Sequence, residues 1–271
     1  MKRILLAGAA MASVLVALPM FAAFEAHVVN VTATIENALS VPLEKSGLTF
    51  GEVFPQEVTV LPFDINLSSS FVSENNKLAN EVNYMIRQKP KCGVPIEDTN
   101  PVQYSSYTQV TENQDGTFVC PLVTVQISNP EGGGTHPEQV QSVQLPLLCP
   151  YLSKHQTLSQ GEVDNIGDGL DGINSFHGLP GVWNEQTTED TQVNGSLNKN
   201  NDTSDTWNID LHTPCFVGQC AQDWADFVKA ENPDADPIVY QAPANQEHQQ
   251  FGCDLWVEAT SIPQIGTSTP Q

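Results

Sequence analysis

The chain has 271 residues, of which 10 are basic and 32 are acidic, so its formal net charge is −22. Binding to nucleic acid requires clustered lysine and arginine, and this charge balance excludes a nucleic acid as the expected partner. The 39% of hydrophobic residues is typical of a folded protein, and the length suits one large domain or two small ones.

Residues 1–23 predict a secretory signal peptide. Lys2 and Arg3 precede an apolar run at residues 4–18, and Ala22 and Ala23 form a small-residue cleavage site before Phe24. The apolar run is short for a membrane span, and an uncleaved membrane anchor is the alternative interpretation. We therefore expect signal peptidase to act during export. The expected product is a secreted protein of the extracellular matrix or cell surface, with no stable membrane span after cleavage.

Residues 24–36 follow the cleavage site and alternate between apolar and polar side chains. Val29, Val31, Ala33 and Ile35 fall on one face, and polar residues separate them. A period of two with β-branched residues is typical of a half-buried strand.

Further strands are predicted, in chain order, at residues 48–53, 58–68, 82–86, 123–127, 207–211 and 251–259. Pro62 interrupts the second of these and predicts an edge strand or a bulge. Helical patterns are confined to residues 147–155 and 221–229. Many short strands between Gly, Pro and Asn turns predict an all-β fold, an antiparallel jelly-roll-like sandwich with one or two short helices.

One domain, at residues 37–261, is predicted to hold this sandwich. Within it, residues 156–205 are rich in Gly, Asn, Asp, Ser and Thr, and we interpret them as a long irregular, polar insertion rather than a second domain. Residues 262–271 are polar with two prolines and predict a flexible tail.

Six cysteines in an exported chain indicate disulfides, for which 15 full connectivities exist. Closure of short loops favours Cys92–Cys120 and Cys215–Cys220, which leaves Cys149–Cys253, but the sequence does not decide among the pairings. Zinc is the alternative, although no C-x2-C pair occurs and the histidines are scattered.

A cluster of carboxylates and glycines lies at residues 164–172. Asp164, Asp168 and Asp171 supply oxygens of the kind that Ca²⁺ prefers, and the glycines allow the backbone to turn around an ion. The alternative is a solvated acidic turn. Ca²⁺ is thus a possible ligand, and no cofactor is expected to be required. The motifs H-E-x-x-H and G-x-S-x-G are both missing, so no catalytic residue is assigned and the chain is not expected to be an enzyme.

Three stretches carry a resemblance to a known family. The first is the signal peptide leading directly into Phe24, and the second is Leu-Thr-Phe-Gly-Glu-Val-Phe-Pro at residues 48–55. The third comprises residues 195–199 and 205–211, followed by the cysteine-containing stretch 215–224. With these motifs the chain resembles the TasA/camelysin family of secreted fibre proteins.

The resemblance implies a jelly roll that polymerises into extracellular filaments of a biofilm matrix or cell surface. In such fibres the N-terminal strand of one subunit completes the sheet of the next, which is donor-strand complementation. The partner of this chain would then be a second copy of itself in a head-to-tail homopolymer. Residues 24–36 would be the donor strand, with Phe24, Val29, Val31, Ala33 and Ile35 as its apolar residues. The alternative is that this strand pairs within its own subunit.

Two other functions remain open at this point. The camelysin side of the family is associated with a metallopeptidase activity, although this chain lacks a zinc-peptidase motif. A surface module that binds glycans and is stabilised by calcium at residues 164–171 is the third possibility.

Overall fold

A computed structural model describes residues 36–42, 47–73, 78–96, 99–115, 117–128, 132, 134–157, 172–177 and 192–265. All of these except Glu36 belong to one compact unit, Asn37–Gln271. The described ranges are mostly antiparallel β-sheet, and two short α-helices and two 3-10 helices accompany the strands. The predicted all-β antiparallel sandwich is confirmed.

Thirteen strands are present in the described ranges. In chain order they are β1 (Leu39–Ser40), β2 (Val58–Leu67), β3 (Glu81–Pro95), β4 (Tyr104–Gln109), β5 (Thr111–Glu112), β6 (Phe118–Val119), β7 (Leu122–Ser128), β8 (Thr135–Gln141), β9 (Val143–Gln144), β10 (Leu152–Thr157), β11 (Gln192–Asn198), β12 (Ser204–His212) and β13 (Cys253–Ser261). The α-helices are α1 (Ser69–Val72) and α2 (Trp224–Glu231), and the 3-10 helices are Cys149–Tyr151 and Ala244–Gln246.

Two main sheets form the sandwich. The first has the order β1-β2-β12-β10, with every neighbour antiparallel. The second has the order β11-β3-β13, and the last residues of the long strand β3 also pair with β4 and β9. Two separate hairpins, β5-β6 and β7-β8, complete the described strands.

The core lies between these two sheets because each strand turns alternate residues inward. Phe63 and Trp207 face each other across β2 and β12, and both are buried. Tyr84 and Ile86 of β3 belong to the same hydrophobic cluster. Trp207 is fully buried, so its replacement by alanine is expected to cost about 3–5 kcal/mol.

Three disulfides join the six cysteines. They are Cys92–Cys120, Cys149–Cys253 and Cys215–Cys220, which confirms the pairing favoured by loop closure. The second of these links the 3-10 helix before β10 to the first residue of β13. It therefore ties the two main sheets together.

Strands with clear alternation formed where they were predicted. The strands β2, β3, β7, β12 and β13 overlap the expected segments, although β13 begins two residues later than predicted and β3 is 15 residues long. Ser68, at the end of the predicted strand 58–68, is instead the N-cap of α1, where its hydroxyl accepts from the amide of Phe71. The predicted helix 221–229 is present as α2, which ends before Asn232.

Two local predictions were wrong. Residues 48–53 form no strand, because Gly51 has a φ of +77° and breaks the extended backbone. The apolar residues Leu48, Phe50 and Val53 instead pack against the core. The predicted helix 147–155 is only the single 3-10 turn Cys149–Tyr151, after which the chain continues as β10.

The predicted polar insertion 156–205 carries strands at both ends. Strand β11 lies inside it, with Val193 and Leu197 buried, and β12 begins at Ser204. Gly195 is required in β11 because a Cβ atom there would lie 2.2 Å from the Tyr84 ring. Residues 158–171 and 178–191 of the insertion lie outside the described residues.

The first residues of the predicted flexible tail are attached to the domain. Gln264 forms a β-bridge with Ala79, and the amide of Ile265 donates to the carbonyl of Leu78 at 2.7 Å. The remaining tail residues, 266–271, lie outside the described residues.

Candidate functional site

Most of the side chains predicted to act in binding or assembly lie outside the described residues. This applies to the donor-strand residues Phe24, Val29, Val31, Ala33 and Ile35. It applies equally to the calcium candidates Asp164, Asp168 and Asp171. In the part of the chain that the structure describes, no group of three His, Cys, Asp or Glu side chains is placed to hold a metal ion.

Strand β2 has one side on which residues 58–65 pair with no strand among the described residues. Its other side pairs with β12 along its whole length, and β1 reaches only Asn66 and Leu67. We call the unpaired side of residues 58–65 the open edge. It agrees with the edge position that Pro62 predicted.

Two hydrogen bonds show which backbone groups face the open edge. The amide of Leu67 donates to the carbonyl of Thr203 at 2.9 Å, and the amide of Thr213 donates to the carbonyl of Glu57 at 3.0 Å. Odd-numbered residues of β2 therefore exchange hydrogen bonds toward β12. Even-numbered residues turn their backbone groups toward the open edge.

The open edge combines apolar side chains with unpaired backbone groups. Val58 is 47% exposed and Val60 is 50% exposed, and Pro62 and Asp64 are exposed as well. Pro62 has no N–H group, so it presents only its carbonyl. Such an edge is a template for one more strand.

The opposite edge of the same sheet is covered. The backbone of Lys154 in β10 exchanges hydrogen bonds of 2.7 and 3.0 Å with that of Ile173. Gly172 allows this approach, since a Cβ atom there would lie 1.8 Å from the Lys154 carbonyl oxygen. We call the outer side of β10 under residues 172–177 the capped edge.

Strand β1 runs antiparallel to β2 and lies beside its C-terminal end. Leu39 lies opposite Leu67, and the amide of Ser68 donates to the carbonyl of Ala38 at 2.8 Å. Toward lower residue numbers the chain thus runs past the C-terminal end of β2. A strand continuing in that direction moves away from Val58.

A buried polar network crosses between the sheets midway between the two edges. The hydroxyl of Tyr84 in β3 donates to the carboxylate of Asp205 in β12, and it accepts from Nε1 of Trp207 at 2.8 Å. Nε2 of Gln156 donates to the same carboxylate at 2.6 Å. Burial, followed by the charge of Asp205, raises the pKa of the Tyr84 phenol far above its usual range. The Tyr84 hydroxyl therefore keeps its proton at physiological pH, and its hydrogen bond to Asp205 is retained.

No family model, no curated protein and no solved structure matches this chain. No helix in the described ranges is long and apolar enough to cross a membrane. Three disulfides are compatible with an extracellular environment. Within the first sheet, the open edge is the described side that combines unpaired backbone groups with exposed valines.

Proposed function

We propose that the secreted chain is the structural subunit of an extracellular filament. In this proposal residues 24–36 of one copy add to the open edge of the next copy as a donor strand, and the chain has no catalytic role. The observation that carries the proposal is the eight-residue stretch of β2 that lacks a strand partner among the described residues.

The lengths and patterns of the two segments support this pairing. The apolar stripe from Val29 to Ile35 spans seven residues, close to the length of the open edge. Its four apolar side chains would lie beside the inward residues Leu61, Phe63 and Ile65 of β2. Each added strand residue would supply backbone groups to the amides and carbonyls that face outward.

Growth into a filament follows from the geometry of such a contact. The donor strand and the open edge are different surfaces, so the contact is heterologous and does not close on itself unless a ring forms. Signal peptidase would free the donor strand at Phe24, and export would thus control assembly. The direction of β1 supports pairing between copies because it leads away from the open edge of the same subunit.

The charge of the chain predicts a salt dependence of assembly. After removal of Lys2 and Arg3, 8 basic and 32 acidic residues leave a formal charge of −24. Copies of this charge repel one another, and salt screens the repulsion with a Debye length of about 8 Å at 0.15 M. Filaments are expected to grow faster as ionic strength rises, and equal rates from 0.02 to 0.5 M would contradict this expectation.

Negative-stain electron microscopy of the chain starting at Phe24 tests the proposal. Filaments are expected from residues 24–271, and folded monomers are expected from residues 36–271. Circular dichroism of the shorter chain controls for folding. A persistent monomer of residues 24–271, or filaments in equal yield from both chains, would overturn the proposal. The monomer result would favour a surface binding module, to be examined with glycan arrays and peptidase assays.

A further inference from the structure

Three polar side chains meet in the interior near the capped edge. Gln88 of β3, Lys154 of β10 and His177 are 1%, 0% and 7% exposed. In the carboxamide orientation that satisfies its neighbours, the Gln88 oxygen accepts from Nζ of Lys154 at 3.0 Å, and its nitrogen donates to Nε2 of His177 at 3.1 Å and to the carbonyl of Cys149 at 3.3 Å. An amine, an amide and an imidazole are thus in contact across the two sheets.

The environment of Lys154 differs from that of the other buried lysine. Lys89 is 2% exposed, but its amine lies 3.3 Å from both Glu112 and Glu258 and stacks over Trp256. In the described part of the chain no carboxylate forms an ion pair with Lys154. Burial alone lowers the pKa of Lys154 to about 7. A large share of this amine is therefore neutral at physiological pH, and the neutral amine is the nucleophilic form.

We infer that Lys154 and Gln88 form an intramolecular isopeptide bond between the two sheets. Nζ of Lys154 forms a bond to Cδ of Gln88, and the bond from Cδ to the amide nitrogen breaks. One proton moves from Nζ to the departing nitrogen, which leaves as ammonia. The reaction needs no oxidant, reductant or cofactor, and it does not depend on filament formation.

His177 is placed to transfer this proton. Its Nε2 lies 3.1 Å from the nitrogen that leaves, so the imidazole can pass a proton to that nitrogen as its bond to Cδ breaks. Holding the amine beside the amide removes the entropy cost of bringing them together, an effect that reaches about 10⁵–10⁸ M in well-oriented intramolecular reactions. This factor allows an otherwise very slow exchange between an amine and an amide to proceed.

The segment that carries His177 is held under strain. Phe176 is fully buried and has a φ of 60°, a conformation that non-glycine residues rarely adopt and that often occurs at functional sites. Its amide donates to the carbonyl of Pro150 at 2.7 Å, and its carbonyl accepts from Nδ2 of Asn232 at 3.0 Å. These bonds, together with the close approach at Gly172, fix the position of the imidazole.

The mass of the wild-type protein tests the inference directly. The secreted chain is reduced and alkylated, and its mass is compared with that calculated for residues 24–271 with six alkylated cysteines. It is expected to be about 17 Da lighter, the mass of the ammonia lost. Cleavage after glutamate should then yield peptide 82–97 joined to peptide 139–162. The joined pair distinguishes this bond from loss of ammonia at an asparagine. An unmodified mass with two separate peptides would overturn the inference, and this result needs no variant to fold.

Variants assign the bond to its two side chains. Lys154→Met and Gln88→Met are each expected to restore the full mass and to separate the peptides. Lys91→Met is the matched control, because Lys91 lies on β3, the same strand as Gln88, and its amine pairs with Asp254 at 2.7 Å. It should keep the loss of ammonia. A loss that persists in Lys154→Met would overturn the assignment.

The role of His177 has its own readout. In His177→Gln, with the fold confirmed by circular dichroism, the linked fraction is expected to fall at least tenfold when the protein is isolated soon after synthesis. Since general acid–base catalysis contributes about 10²–10⁴-fold, a smaller linked fraction should be easily measured. Complete linkage in this variant would overturn the role assigned to His177.

Discussion

The two edges of the first sheet differ in how their backbone groups are used. At the capped edge, Ile173 exchanges two backbone hydrogen bonds with Lys154 of β10, and a Cβ atom on Gly172 would clash with the Lys154 carbonyl. At the open edge, residues 58–65 have no strand partner in the described ranges, and two valines are about half exposed. Among the described residues, one side of this sheet is therefore bonded within the subunit and the other has backbone groups without a strand partner.

One disulfide and one buried polar contact lie close to the capped edge. The Cys149–Cys253 disulfide and the contact of Gln88 with Lys154 both lie next to the capped edge. None of the three disulfides involves β2. If a subunit accepts a strand at the open edge, its two sheets must be held together by contacts elsewhere, and the capped edge provides such contacts.

The largest effect is expected from proline at the open edge. Val60→Pro removes one outward N–H group and leaves the bonds to β12 intact, because residue 60 faces away from β12. Filament yield by electron microscopy should fall to near zero while the folded monomer persists. The reverse change, Pro62→Val, restores an outward donor at an exposed position and should accelerate assembly. Unchanged assembly in both variants would contradict the role of the open edge.

The second effect concerns the disulfide beside the capped edge. Because Cys149–Cys253 closes a loop of 104 residues, replacing both cysteines by alanine should cost about 4.7 kcal/mol of unfolding free energy. Replacing Cys215 and Cys220, which are 5 residues apart, should cost about 2 kcal/mol. Urea denaturation measures both values. Equal losses would show that loop length does not govern the stability of this domain.

A smaller effect is expected from the network between the two edges. Tyr84→Phe removes the hydroxyl that bonds to Asp205 and Trp207, and it should lower the free energy of unfolding by about 1–3 kcal/mol. Tyr107→Phe is the control, since Tyr107 is 45% exposed and a surface change should remain within about 0.5 kcal/mol. Thermal melts of the two variants report the difference. Similar losses in both would indicate that the buried network contributes little.

The smallest effect, when taken over a single pH unit, is a pH dependence at Lys154. In Gln88→Met, which cannot form the isopeptide bond, burial lowers the pKa of Lys154 to about 7 from its ordinary value of 10.5. Between these values the unfolded state binds more protons, so stability should rise with pH by up to about 1.4 kcal/mol per unit. The double variant with Lys154→Met should lack this rise. Parallel stability curves for the two proteins would rule out a neutral buried lysine.

The sequence predicted those parts of the fold in which pattern and propensity agree. Trp207, Ile209 and Leu211 alternate with polar residues, and β12 formed as expected. Residues 48–53 also contain spaced apolar side chains, but they form no strand. Gly51 turns the backbone, and the apolar side chains pack against the core instead. Strand β11 was missed because Asn194, Gly195 and Ser196 have low strand propensity, and pairing with β3 decides their conformation.

The candidate sites were predictable to different extents. Pro62 indicated the open edge, because proline is tolerated only where no ladder bond is lost. Nothing in the sequence indicated the contact of Gln88, Lys154 and His177, which are far apart along the chain and meet only through the packing of the two sheets. The low pKa of Lys154 likewise arises from burial, and burial is a property of the folded chain.

Mixing two variants that each fail to assemble is the most direct test of head-to-tail pairing. Residues 24–271 with Val60→Pro keep the donor strand but lose the open edge, whereas residues 36–271 keep the open edge but lose the donor. Light scattering after size-exclusion chromatography should find each variant monomeric alone and a 1:1 heterodimer in the mixture. Two unchanged monomers in the mixture would contradict donor-strand pairing at residues 58–65.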